Sequence, residues 1–345
     1  MPVNQTLAQF SDWAYFTAFA MYSVALIVSI AFYVRRQFAI EAKQESKEKV
    51  LVGVGAGAAG ADAPGAEISE DSAKAATDSE AAVTDDQVAA KFAGANKLGT
   101  IAEMFVYVGI AVHFASVLLR GLSAGRFPWG NLYEYVTVFS LFAMVIAAAV
   151  LRRDSMRVFW PWLLTPVIAL LFFGGTKLYA ESAPVVPALQ SFWFPIHVST
   201  VSIGGGLTLV SGVASLLYLL RMKFPAGTEK GFWGGVARPL PSVKTLDMIA
   251  YRIAIWALPI FGLGIVFGAI WAEAAWGRFW NWDPKETFSL ISWVFYAVYL
   301  HARATSGWRN QAAAIINIAG FATMVFNLFF VNMVVSGLHS YAGLN

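Results

Sequence analysis

The sequence predicts an all-α polytopic membrane protein of about eight transmembrane helices, N-out/C-out, with a disordered cytoplasmic linker. Three observations predict it. The 345-residue chain is 58% hydrophobic and 13% charged, where a soluble domain carries about a quarter charged residues. Its mean hydropathy is +0.60. Several apolar runs reach the ~20 residues that cross a bilayer as helix. The pI near 9.0 then reads as loop charge that marks the cytoplasmic side, and not as nucleic-acid binding. The chain has no cysteine, which excludes disulfides, thiolate metal sites and redox steps through its own thiols.

The predicted spans are 14–34, 99–119, 134–151, 158–174, 194–220, 251–273, 287–304 and 311–336, separated by polar or Pro/Gly-containing breaks. Residues Met1–Trp13 lack the basic stretch of a cleavable signal, so the first run reads as a retained helix. With the N-terminus outside, inner loops 35–98, 152–157, 221–252 and 303–310 hold 19 of the 24 Lys and Arg residues. Leaving out the first, long loop, the split is still 11 against 5, which sets the orientation by the positive-inside rule. Residues 41–97 are rich in Ala, Gly, Asp, Glu and Ser with few large apolar side chains. Such a stretch offsets little of its ordering entropy. It reads as a disordered cytoplasmic linker between an N-terminal helix (1–40) and a seven-helix core (98–345).

The four histidines are His113, His197, His301 and His339. Without cysteine they are the strong side-chain candidates for a transition-metal or haem iron ligand, with Met as the weaker alternative. His197, in SFWFPIH, lies at the outer mouth of span five, and His339, in GLHSYAG, just beyond span eight on the same side. His301, in YLHAR, falls ~20 Å below the outer boundary counted from Phe288, a depth at which an ionisable group is a functional candidate. His113 lies in the outer part of span two, where an interhelical hydrogen bond explains it better than ligation. No span carries two histidines, which argues against a respiratory cytochrome b. For any one outer histidine, a hydrogen bond to lipid headgroups is the structural alternative.

Between spans six and seven, on the same outer face, runs WGRFWNWDPKE (276–286). If 276–280 is helical, Trp276, Phe279 and Trp280 share one face, and Gly277 leaves room for a flat ring. Asp283, Pro284 and Glu286 read as a helix start: N-cap, N1 and capping-box partner. Interfacial anchoring explains scattered tryptophans. Trp276, Trp280 and Trp282 crowded beside two histidines suit a porphyrin-binding surface better.

At this point WAEAAWGRFWNWDPKE resembles the tryptophan-rich "WWD" signature of haem-handling proteins in cytochrome c maturation. More closely, residues 98–345 resemble the CcsA/ResC-type proteins of system II cytochrome c biogenesis, some bacterial members of which carry the name CcsB. The resemblance runs in order through RFPWGNLYE from Arg126, LQSFWFPIHVS around His197, the external WWD segment 271–286, YLHAR and GLHSY. It implies that His197 and His339 are axial ligands to haem b, bound non-covalently as substrate at the external surface. It further implies that His301 ligates haem within the membrane, and that Trp276, Trp280, Trp282, Gly277 and Asp283 line the site. His113, Arg126 and Trp193 are weaker candidates. Arg126, Lys177, Arg278 and Lys285 are candidate propionate partners, with interfacial snorkelling as the alternative.

The implied setting is a bacterial cytoplasmic membrane, and the implied activity is that of a cytochrome c synthase (haem lyase) subunit acting on the CxxCH segment of apocytochrome c. The implied partners are a CcsB/ResB-type membrane protein and a thioredoxin-like thiol reductant, with no nucleic acid. The alternatives are a haem exporter or haem-delivery protein without attachment activity, and a small-molecule transporter with an aromatic gate.

Overall fold

The computed structural model describes residues 3–59, 84–305, 307–308 and 310–339. Among them all regular structure is helical: α1 (Gln5–Ala59), α2 (Asp85–Ala124), α3 (Leu132–Val150), α4 (Trp160–Lys177), α5 (Trp193–Lys223), α6 (Gly231–Ala237), α7 (Val243–Trp276), α8 (Pro284–Ala304) and α9 (Gln311–Phe326). A π-turn, Asn327–Val331, continues α9. All but α6 and α8 are long and apolar enough to cross a membrane, seven in total among the described residues. The chain is a multi-pass membrane protein. Each predicted span falls on a helix; the seventh, 287–304, is α8, which carries Lys285, Glu286, His301 and Arg303 and is not among those seven.

The predicted linker is shorter in the structure. α1 runs on to Ala59 and α2 begins at Asp85, so residues 41–59 and 85–97 are helical; residues 60–83 lie outside the described residues. The alanines that bury little surface are strong helix formers. Their small side chains also let two helices approach closely, and Ala42 and Ala95 are buried. Thr84 and Gln87 form a capping box that starts α2. α1 and α2 pair antiparallel, pinned by reciprocal hydroxyl-to-carbonyl bonds between Ser11 and Ser116 (2.8 and 2.9 Å) and by Asn4 N–H to the Ser123 carbonyl (2.9 Å).

α5 is the central helix, with α7, α3 and α9 packed around it. Its Gly204, Gly205 and Gly206 make this possible: a Cβ there would fall 2.6–2.9 Å from Phe261, Phe139 or Ile146. Small residues at such contacts are how membrane helices gain van der Waals packing, since burial from lipid supplies little drive. Asn317 of α9 adds polar contacts to Ser211 and Ser215 of α5 (both 2.8 Å).

The end of the bundle that holds Asn4 and Ser123, here the upper end, is tied together by buried polar contacts. Glu134 accepts from Arg120 (3.0 Å), from Arg126 (2.8 Å) and from the Gly130 amide (2.6 Å). Charged pairs such as Arg157–Glu103, Arg221–Glu229 and Arg303–Asp247 sit at the opposite end.

Candidate functional site

His197 lies one turn into α5, against the backbone of α7. Its Nδ1 is 2.8 Å from the Gly264 carbonyl oxygen. A carbonyl only accepts, so Nδ1 carries the proton and the lone pair is on Nε2. Gly268 makes this approach possible, because a Cβ there would sit 2.6 Å from the imidazole Cε1. One turn further, the Trp271 indole stacks on the His197 ring at 5.8 Å between centroids and 13° between planes. Trp271 is itself buried and donates its indole N–H to the Ala188 carbonyl at 2.9 Å.

α7 stops at Trp276. Gly277 takes the left-handed conformation (φ 70°) and donates to the Glu273 carbonyl, which is the ordinary glycine stop of a helix. The face expected if 276–280 were helical therefore does not form. Trp276 turns inward, with its ring 4.8 Å from Trp271 and 5.3 Å from His339. Trp280 lines the cavity described below, and Trp282, also left-handed at φ 57°, lies exposed and edge-on to Trp280. The space beside Gly277 is open, and its service is to the helix end.

Asp283 opens α8 as its N-cap, in a capping box with Glu286. The same carboxylate has a second task. One oxygen accepts the Leu338 amide at 2.7 Å, and the other lies 2.9 Å from His339 Nδ1. Burial alone would raise the Asp283 carboxyl, but the hydrogen bonds from His339, Leu338 and Lys285 hold it below its usual range. Burial pushes His339 below the usual imidazole value, and the bond to Asp283 opposes this only in part. The pair is thus a carboxylate and a neutral imidazole protonated on Nδ1, with the lone pair on Nε2.

Both imidazoles border the same indole: His339 meets Trp271 edge-on at 5.8 Å. They also line one cavity of about 720 Å³, within the ~300–1,000 Å³ common for small-molecule sites. Its upper wall is aromatic, with Trp129, Tyr135, Phe173, Phe194, Trp271, Phe279 and Trp280; its floor, deeper in the bundle, is Phe139, Pro166, Leu209, Phe321 and Met324. Lys285 and Glu286 reach it from α8, Asn327 from the start of the π-turn and Asn332 from just beyond its end.

The other candidates lie elsewhere. His301 is exposed near the lower end of α8 and does not border the cavity. His113 is buried between α1 and α2, with Nδ1 3.3 Å from the Tyr22 hydroxyl. Arg126 is bound to Glu134 and the Ala183 carbonyl. Trp193 stacks on Phe267 at 6.2 Å. Trp271 and Gly268 were not among the residues the sequence singled out, although Trp271 opens the segment 271–286 and Gly268 stands one turn before it.

The family model for cytochrome c assembly proteins matches residues 129–339. Every residue that lines the cavity falls within that range, from Trp129 to His339. The chain is also similar to proteins called cytochrome c biogenesis protein CcsA. With that of Chlamydomonas reinhardtii it shares 33% identity over 244 residues, covering 66% of this chain and 65% of that one. With that of Guillardia theta it shares 31% over 249 residues (66% and 80%). With that of Picosynechococcus sp. it shares 33% over 308 residues (72% and 88%). A polytopic helical bundle, an aromatic cavity bordered by two anchored imidazoles, and a match over the whole of that cavity place this chain in the cytochrome c assembly protein family.

Proposed function

We propose that this chain handles haem b as substrate in cytochrome c biogenesis, holding it at the upper, external end between His197 and His339. One observation carries the reading: two imidazoles, each with Nδ1 tied to an acceptor, border one aromatic cavity. Histidines that bind metals are oriented in this way, by a carboxylate or carbonyl on the other ring nitrogen. Among the described residues no group of three His, Asp or Glu side chains could hold a bare metal ion. A pair of imidazoles suits an iron whose remaining ligands come with a macrocycle. The flat, apolar walls suit that macrocycle.

In this reading the substrate haem is presented to the CxxCH segment of an apocytochrome c. Each thioether forms when a cysteine S–H adds across a vinyl C=C, so no net oxidation occurs, and reduced cysteines are required. A chain without cysteine leaves their reduction to a thioredoxin-like partner. His301, exposed on the flank of α8, is suited to a membrane ligand site completed by a CcsB/ResB-type partner. The chain then acts as a subunit of a cytochrome c synthase in the bacterial cytoplasmic membrane.

The test is co-expression with a CcsB/ResB-type partner and a CxxCH reporter in a host without its own maturation machinery. The expected result is a Soret band on the purified protein and covalent haem on the reporter. Haem on the protein with none on the reporter would favour export or delivery without attachment. No Soret band would refute haem handling altogether and favour a transporter of other small molecules.

A further inference from the structure

Four cations were candidates for haem carboxylates, and their surroundings separate them. Arg126 is already engaged by Glu134 and the Ala183 carbonyl. Lys177 and Arg278 do not border the cavity, whereas Lys285 does. Its ammonium bonds to the Asn332 side chain, and among the described residues no carboxylate forms an ion pair with it. The nearby acidic groups are otherwise occupied. Asp283 takes His339 and two amides, and Glu286 takes the amides of Asn281 and Asp283 at 2.9 and 3.2 Å. A cation in a largely apolar cavity is costly unless it is paired.

The backbone holds Lys285 in this position on purpose-built geometry. Asn327 and Asn332 are five residues apart, which an α-helix would set on different faces. The π-turn Asn327–Val331 closes by i→i+5 bonds and brings both to bear on the first turn of α8. Asn327 donates to Ser289 Oγ at 2.9 Å and to the Lys285 carbonyl at 3.4 Å, while Asn332 meets the Lys285 ammonium. The head group is thereby fixed from one side and presented to the cavity.

We propose that Lys285 binds a carboxylate of the cavity's ligand, so that the site selects a flat ligand with a free carboxylate at its edge. This rests on the haem-handling reading, in which the carboxylate is a propionate. The test titrates the purified full chain with haem and with haem dimethyl ester, following the Soret band. For the unsubstituted protein the ester is expected to bind more weakly by on the order of 10- to 100-fold, as for loss of a charge-assisted hydrogen bond. Lys285→Gln should bind haem about as weakly as it binds the ester, with ester affinity unchanged, and Lys285→Arg should restore most of the preference. Equal binding of haem and ester by the unsubstituted protein, a comparison that needs no variant, would overturn the Lys285 assignment alone. Failure of the unsubstituted protein to bind either would overturn the haem reading and this assignment with it.

Discussion

Replacement of His197 or His339 by alanine is expected to abolish six-coordinate haem at the upper cavity, leaving the folded chain with at most a five-coordinate spectrum. Each imidazole supplies its Nε2 lone pair, and among the described residues no third histidine lines the cavity to replace it. The helices should survive both changes. His197 makes one side-chain hydrogen bond, to Gly264, and a lost bond of that kind costs about 1 kcal/mol. Because truncation leaves a ring-sized space beside Gly268 or Asp283, imidazole added to the buffer should restore part of the six-coordinate signal. Haem spectra and reporter maturation that do not change in either variant would refute the ligand assignment.

A second large effect is expected at Asp283, where two tasks can be separated by choice of substitution. Asp283→Ala removes both the N-cap of α8, worth about 1 kcal/mol, and the acceptor that orients His339. Second-shell losses of this kind typically cost about 10- to 100-fold in metal affinity. Asp283→Asn keeps a good N-cap and an acceptor oxygen but removes the charge that enriches the imidazole. Because the amide NH2 that replaces one carboxylate oxygen then faces an N–H donor, the Leu338 amide or His339 Nδ1, this variant should lose part of the thermal stability, less than Asp283→Ala, while weakening haem binding by an intermediate amount. Thermal melts and Soret titrations of the two variants check this. Equal haem affinity in all three proteins would show that the contact between Asp283 and His339 is structural only.

Much of the architecture was legible in the sequence, because a run of ~20 apolar residues has one outcome in lipid. The placement of His197, His339 and the tryptophan segment at one end followed from counting spans. The helix start at Asp283-Pro284-Lys285-Glu286 followed from local capping chemistry, which depends on neighbours in sequence. Contacts between distant segments were not legible. Gly264 and Gly268 receive His197 only because α5 lies against α7, and no local pattern announces that Asp283 also reaches Leu338 and His339. The polar α8 is apparent as a helix, but not as the one predicted span that falls short of the apolar character of the other seven. The helical character of 41–59 and 85–97 is not legible for another reason: alanine is both a poor core former and a strong helix former, and α1 pairs with α2. No local pattern sets Trp271 apart from the tryptophans nearer the loop, yet it is the ring that both histidines touch.

The central claim is that one haem is held between His197 and His339. An experimental structure of the haem-bound protein with its membrane partner tests it most directly. The account predicts the macrocycle against Trp271 and Trp280, with the iron between the Nε2 atoms of the two histidines at bonding distance from each. Haem in this cavity ligated by neither imidazole, or haem bound only near His301, would contradict it.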